Sequence, residues 1–127
     1  MSEEGLAKVL SALKDKDIIK PQDLIAWYGT LLRRPFAEEA IWNWAQTEWD
    51  WIKQSLGGDM SYVAFIIIPS RIFKSQQRLD EYQAFFEAEL TNLALQRDIA
   101  VGIKSIAARI QMMEKNKEAV EKALSDY

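Results

Sequence analysis

The chain has 127 residues, a formal charge of −3, 49% hydrophobic and 28% charged residues, and neither histidine nor cysteine. Those proportions belong to a folded globular chain, and the negative balance gives no general attraction to nucleic acid or anionic lipid. Without His and Cys there is no Ser-His-Asp triad, no cysteine nucleophile and no conventional zinc site.

The length suits one domain, 1–127, able to bury roughly two thirds of its unfolded surface. No apolar run approaches 18 residues, so no membrane span is expected. Met1-Ser2-Glu3-Glu4-Gly5 lacks the basic and apolar regions of a secretory signal, and a cysteine-free chain suits a reducing compartment. A cytoplasmic location is the expectation. The acidic residues are scattered, with no Asp-x-Asp-x-Asp-Gly calcium loop, and the glycines form no phosphate-binding loop. No catalytic, cofactor-binding or metal residue is expected in this segment.

Taken in order, Ser2 to Leu13 predicts a first helix, with Leu6, Val9, Leu10 and Leu13 at i, i+3, i+4 and i+7. Lys20-Pro21-Gln22-Asp23 marks a second start, with Pro21 at the first helical position and Ile19 placed to staple onto Leu24. This helix runs to about Arg33 and turns Leu24, Ile25, Trp27, Tyr28, Leu31 and Leu32 inward. Gly29 inside it points to a close helix crossing, and Pro35 forces a corner after Arg34.

The third helix carries four of the five tryptophans and organises the chain. Read as one rod from Pro35 to Leu56, about 30 Å long, it puts Ile41, Trp42, Ala45, Trp49, Ile52 and Leu56 within one arc. Trp44 and Trp51 form a second stripe, and Asn43, Thr47, Asp50 and Gln54 face water. Two apolar stripes call for neighbours on two sides. Trp42 and Trp49 are expected core residues, a tryptophan ligand cage being the alternative. Gly57-Gly58 ends the run.

Met60 to Phe73 has the β propensity of a buried strand in Val63–Ile68, but nothing else in the chain offers a partner strand. A short buried helix, kinked or broken at Pro69, is expected. Ser75 is an N-cap for the next helix, with Leu79, Tyr82, Phe85, Phe86 and Leu90 on one side. The last helix begins near Asn92. Its residues Ile99, Ile103, Ile106, Ile110, Met113, Lys117, Val120 and Leu124 follow a heptad seam broken only by Lys117. That seam is either a coiled coil or the face of a long helix laid on the preceding ones. The fold class is therefore all-α: about six helices in antiparallel hairpins, an α-solenoid segment of HEAT or armadillo type.

At three places the chain resembles the C-terminal helical domain of the M1 family of zinc aminopeptidases, the aminopeptidase N type. Lys20-Pro21-Gln22-Asp23 resembles that family's basic-Pro-Gln-Asp helix start. Ala40-Ile41-Trp42-Asn43-Trp44-Ala45-Gln46-Thr47-Glu48-Trp49 is similar to its spaced tryptophans. Phe73, Ser75, Leu79, Phe85 and Phe86 match its Phe-x-Ser/Thr segment leading to a Phe-Phe pair. All are packing residues, in the right order over nearly the whole chain.

The resemblance implies the C-terminal part of a larger aminopeptidase chain. The His-Glu-x-x-His zinc helix and the Gly-x-Met-Glu-Asn amine site of that family lie in an upstream domain, and neither occurs here, so no catalytic residue carries over. Zinc would belong to the parent enzyme. The upstream domains of the same chain would be the partners and a peptide the substrate. The implied role is to enclose the active-site chamber and limit peptide access. Arg33, Arg34 and Arg71 are candidates for attracting a peptide's carboxylate, with ordinary solvated or helix-capping roles as the alternative. The other functional reading is a free-standing helical interaction module, self-associating through the last helix.

Overall fold

The computed structural model describes residues 3–57 and 61–126. The positions read from sequence at Ser2, Gly58 and Met60 lie outside the described residues. Seven α-helices occur among them: α1 Glu3–Ala12, α2 Pro21–Leu32, α3 Glu38–Thr47, α4 Trp49–Leu56, α5 Ala64–Ile72, α6 Gln76–Phe86 and α7 Leu93–Ser125. Two 3₁₀ turns, Ser61–Val63 and Glu87–Thr91, complete the order, and no strand occurs among the described residues. Among the described residues no helix is long and apolar enough to cross a membrane. The chain divides into two compact units, one up to Pro69 and one from Ser70, so the division falls inside α5.

In the first unit, α2 starts at Pro21 as its sequence requires, and Ile19 and Leu24 are both buried. The corner after Arg34 is real: the Arg34 carbonyl accepts from the N–H groups of Ala37 and Glu38, both at 2.9 Å. The predicted rod from Pro35 to Leu56 is instead two helices. Pro35–Ala37 form the turn, and Glu48, at φ −98° and ψ 17°, separates α3 from α4. Neither Pro nor Gly announces that break. Lys14, between α1 and α2, lands on it, pairing with Glu48 at 2.8 Å and lying over the Trp51 ring at 5.5 Å.

The stripe survives the break, because one residue so close to helical geometry changes the phase little. Ala37, Ile41, Trp42, Ala45, Trp49, Ile52 and Leu56 are all buried, while Asn43, Thr47, Asp50 and Gln54 are exposed. Trp44 and Trp51 are half-buried and meet edge to face, 6.3 Å between centroids. Trp49 meets Tyr62 the same way at 6.1 Å. These contacts are ring packing and form no ligand cage.

One further expectation changes here. Trp27 stays 40% exposed, because the buried arc of α2 centres on Leu24, Tyr28, Leu31 and Leu32 and leaves the next position outside. Gly29 is buried, and a Cβ on it would touch Ile68 of α5 at 3.8 Å. The expected crossing is therefore between α2 and α5, next to a Tyr28–Phe65 ring contact of 4.3 Å. The isoleucine-rich segment is helical, and Pro69 lies inside α5 without ending it.

In the second unit, Ser75 caps α6 by accepting from the Arg78 N–H at 3.2 Å, and Asn92 caps α7 by accepting from the Ala94 N–H at 3.0 Å. Leu79, Tyr82 and Phe86 are buried. Leu90 departs from its expected place: α6 stops at Phe86, and the 3₁₀ turn that follows leaves Leu90 38% exposed. The buried residues of α7 are Leu95, Ile99, Gly102 and Ile106, all in its first half.

Trp42 is 1% exposed and among the largest buried side chains. Trp42→Ala should therefore lower stability by about 3–5 kcal/mol, measured by urea unfolding. A loss below about 1 kcal/mol would mean that the face of α3 is wrongly assigned.

Candidate functional site

Each candidate arginine sits at a helix C-terminal end. Arg33 is the C-cap of α2; its N–H donates to the Gly29 carbonyl at 3.2 Å, and the N–H of Arg34 donates to the Leu31 carbonyl at 3.1 Å. Its guanidinium folds back so that Nη1 lies 3.0 Å from where a Cβ on Gly29 would stand. Gly29 thus leaves room both for Ile68 and for this side chain. Arg34 follows in the α2–α3 corner, and both arginines are exposed. Arg71, also exposed, lies in the last turn of α5, in the second unit. None of the three forms an ion pair among the described residues. Arg33 and Arg34 are neighbours in space as in sequence, and a cation at a helix C-terminus is also favoured by the dipole.

No three of His, Cys, Asp and Glu come together among the described residues in a group able to hold a metal ion. The surface concavities are open. One of about 390 Å³ lies over Ala7, Ser11 and Ile18, and one of about 410 Å³ lies between α6 and α7.

The most constrained place in the second unit is where α7 crosses α6 and the end of α5. Gly102 is buried, and a Cβ there would run into the Tyr82 hydroxyl, with the Tyr82 Cζ and Ser70 Cβ each at 3.0 Å. Tyr82 occupies the volume a side chain would need. One turn-pair further along α7, the Arg109 guanidinium donates to the carbonyls of Ser70, at 3.1 Å, and Phe73. It thereby satisfies acceptors at the C-terminal end of α5, where a cation also opposes the helix dipole. Arg78 closes the same corner from α6, lying over the Phe73 ring at 5.7 Å and pairing with Glu81 at 2.8 Å. Sequence reasoning singled out neither Gly102 nor Arg109. The signal for Gly102 was present, a glycine between Ile99 and Ile106 on the seam of a helix, where its roughly 1 kcal/mol propensity cost needs a packing reason.

Burial pushes the Tyr82 phenol above its ordinary value, and the negative charge of Asp98 adds to the effect. The arrangement holds a neutral tyrosine in a packed joint.

Residues 2–108 match the family model for the ERAP1-like C-terminal domain. The chain belongs to that family and is a C-terminal domain of an M1 aminopeptidase. It is 55% identical to aminopeptidase N of Lactococcus lactis subsp. lactis over 126 residues, which cover 99% of this chain and 15% of the relative. Identity to aminopeptidase N of Lactococcus lactis subsp. cremoris strain MG1363 is 43% over 124 residues, 98% of this chain and 15% of the relative. Glutamyl aminopeptidase of Rattus norvegicus is 30% identical over 81 residues, 64% of this chain and 9% of the relative. The chain thus spans about 15% of the length of the aminopeptidase N relatives.

The Tyr82 shift has a stability consequence with a definite sign. A phenol whose folded pKa is raised contributes fully below the unfolded value of about 10 and loses that contribution as pH rises through the folded value. Stability should therefore fall with increasing pH above about 10, and the fall should be shallower in Tyr82→Phe. Equal alkaline slopes for the two proteins, measured by urea unfolding between about pH 9 and 11.5, would show that Tyr82 is solvated.

Proposed function

We propose that this domain forms part of the wall of the substrate chamber in a zinc aminopeptidase, restricting access to unfolded peptides while catalysis takes place upstream. The observation that carries the reading is the match to aminopeptidase N along 99% of this chain. It is supported by a composition without His or Cys, which leaves this segment no conventional zinc ligand set.

On this reading the domain's work is steric and electrostatic. A wall of packed helices excludes bulk while a peptide threads through, and its rigidity comes from buried aromatic contacts such as Trp49–Tyr62 and Tyr28–Phe65. Zinc in the parent enzyme supplies the Lewis acid and activated water. Arg33, Arg34 and Arg71 would attract the C-terminal carboxylate of a bound peptide. A guanidinium suits that task because it remains charged and can engage a carboxylate with two parallel N–H donors. The partners are the upstream domains of the same chain, and 1–127 acts as one helical domain within it. A cytoplasmic location belongs to the same reading, since a cysteine-free chain suits a reducing compartment.

The test places residues 2–127 in Lactococcus lactis aminopeptidase N in exchange for the matched segment. The chimera should cleave short peptides and discriminate against long ones as the parent does. Deleting the segment should abolish that discrimination or the activity itself. In the chimera, Arg33→Ala, Arg34→Ala and Arg71→Ala together should raise KM about tenfold for peptides with a free C-terminus and leave C-terminally amidated peptides unaffected. A deletion enzyme with an unchanged peptide-length profile would refute the chamber role. Equal KM changes on both peptide classes would remove the arginines from it.

A further inference from the structure

Burial along α7 stops well before the helix does. Ile106 is its last buried residue and Arg109 makes its last hydrogen bonds to α5, whereas every described residue from Gln111 onward is exposed. The family match ends at residue 108 as well. Beyond that point the apolar seam continues through Ile110, Met113, Val120 and Leu124, of which Met113 is 46%, Val120 58% and Leu124 71% exposed. The fifteen residues from 110 to 124 make an arm about 22 Å long, a length that is marginally helical in isolation. Lys117 interrupts the seam at its middle.

The same unit carries a groove between α6 and α7. Asp80, Gln83, Ala84 and Glu87 stand at i, i+3, i+4 and i+7 along α6, and Ile99 and Ile103 of α7 complete the lining. The carboxylates of Asp80 and Glu87 flank an apolar floor. Leu90, 38% exposed, also lines it, and Leu93, three residues further along the chain, is 81% exposed.

We propose that the arm of one copy lies in the α6–α7 groove of a second copy, and reciprocally, making an isologous antiparallel dimer. Helices α6 and α7 run antiparallel, with Tyr82 at the level of Gly102, so Asp80 stands near Ile103 and Glu87 near Ile99. A twofold axis near Ala108 then sets Met113 beside the second copy's Ile103. Lys117 falls beside its Ile99, at the level of the Glu87 carboxylate and about two turns from that of Asp80, and Leu124 reaches its Leu90 and Leu93. In a parallel coiled coil Lys117 would face another Lys117 across the seam, which disfavours pairing. The groove replaces that repulsion with attraction. The symmetry applies each contact twice, which brings a single narrow arm toward the roughly 1,200–2,000 Å² that stable association requires.

The test is sedimentation equilibrium of the 127-residue chain up to about 100 µM, a range that resolves micromolar association. The wild type should be dimeric. Lys117→Glu and Glu87→Lys should each weaken the dimer by about tenfold or more, and the double variant should regain most of the loss, since it restores opposite charges in register. Both side chains are exposed, so circular dichroism of the variants should match wild type. The absence of native cysteine permits a second readout: Lys117→Cys mixed with Glu87→Cys should form a disulfide-linked heterodimer on mild oxidation. A wild-type monomer at about 100 µM would overturn the proposal and leave the arm to the rest of a longer chain. So would a dimer indifferent to both charge reversals, or a double variant no tighter than the singles.

Discussion

The second unit depends on how closely α7 approaches its neighbours at one residue. Gly102 lets the backbone of α7 come against the Tyr82 hydroxyl and Ser70, at a distance no side chain could share. That approach brings Ile99 and Ile106 into the core and places Arg109 over the last carbonyls of α5. A larger residue at 102 would lift the helix, and the loss would spread to each of these contacts, because close-packed interiors relax only partly.

The first unit is built around a different constraint, a pair of short helices with too many aromatic side chains for one face. Trp42 and Trp49 fill the interior, and Trp44 and Trp51 stack edge to face on the half-buried side. Lys14 covers part of that second stripe with its stem and ammonium. This lysine is also ion-paired with Glu48, but at 43% exposure its contribution is screened, and the ring contact holds it in place as much as the charge does.

Most of the helical architecture was legible because its signals are local. Pro21, Ser75 and Asn92 mark helix starts by chemistry that depends on neighbouring residues only, and all three sit where those signals put them. The Trp42–Trp49 stripe was legible from spacing. The break at Glu48 was not, since its visible partner, Lys14, comes from 34 residues away. The exposure of Leu90 followed from a 3₁₀ turn that a continuous heptad count cannot register. Of the candidate site, the positions of Arg33 and Arg34 at a helix end were foreseeable from Pro35 nearby, whereas Arg71 lies in the last turn of a helix that runs past Pro69. The Tyr82–Gly102 joint was hidden because it joins two ordinary-looking residues across different helices. The M1 resemblance was carried by these same packing residues, which explains how it could be seen in a segment without any catalytic motif.

The residues that carry the family resemblance serve packing, and the tightest packing in the second unit is at one glycine. That account stands or falls on the close approach at Gly102, and Gly102→Ala tests it most directly. In an open site the substitution would stabilise the helix by about 1 kcal/mol through propensity alone. Here the added methyl meets Tyr82 and Ser70, so urea unfolding should show a net loss of about 1–3 kcal/mol, partly recovered when Tyr82→Phe removes the obstructing hydroxyl. A Gly102→Ala protein as stable as wild type, or more so, would contradict the account.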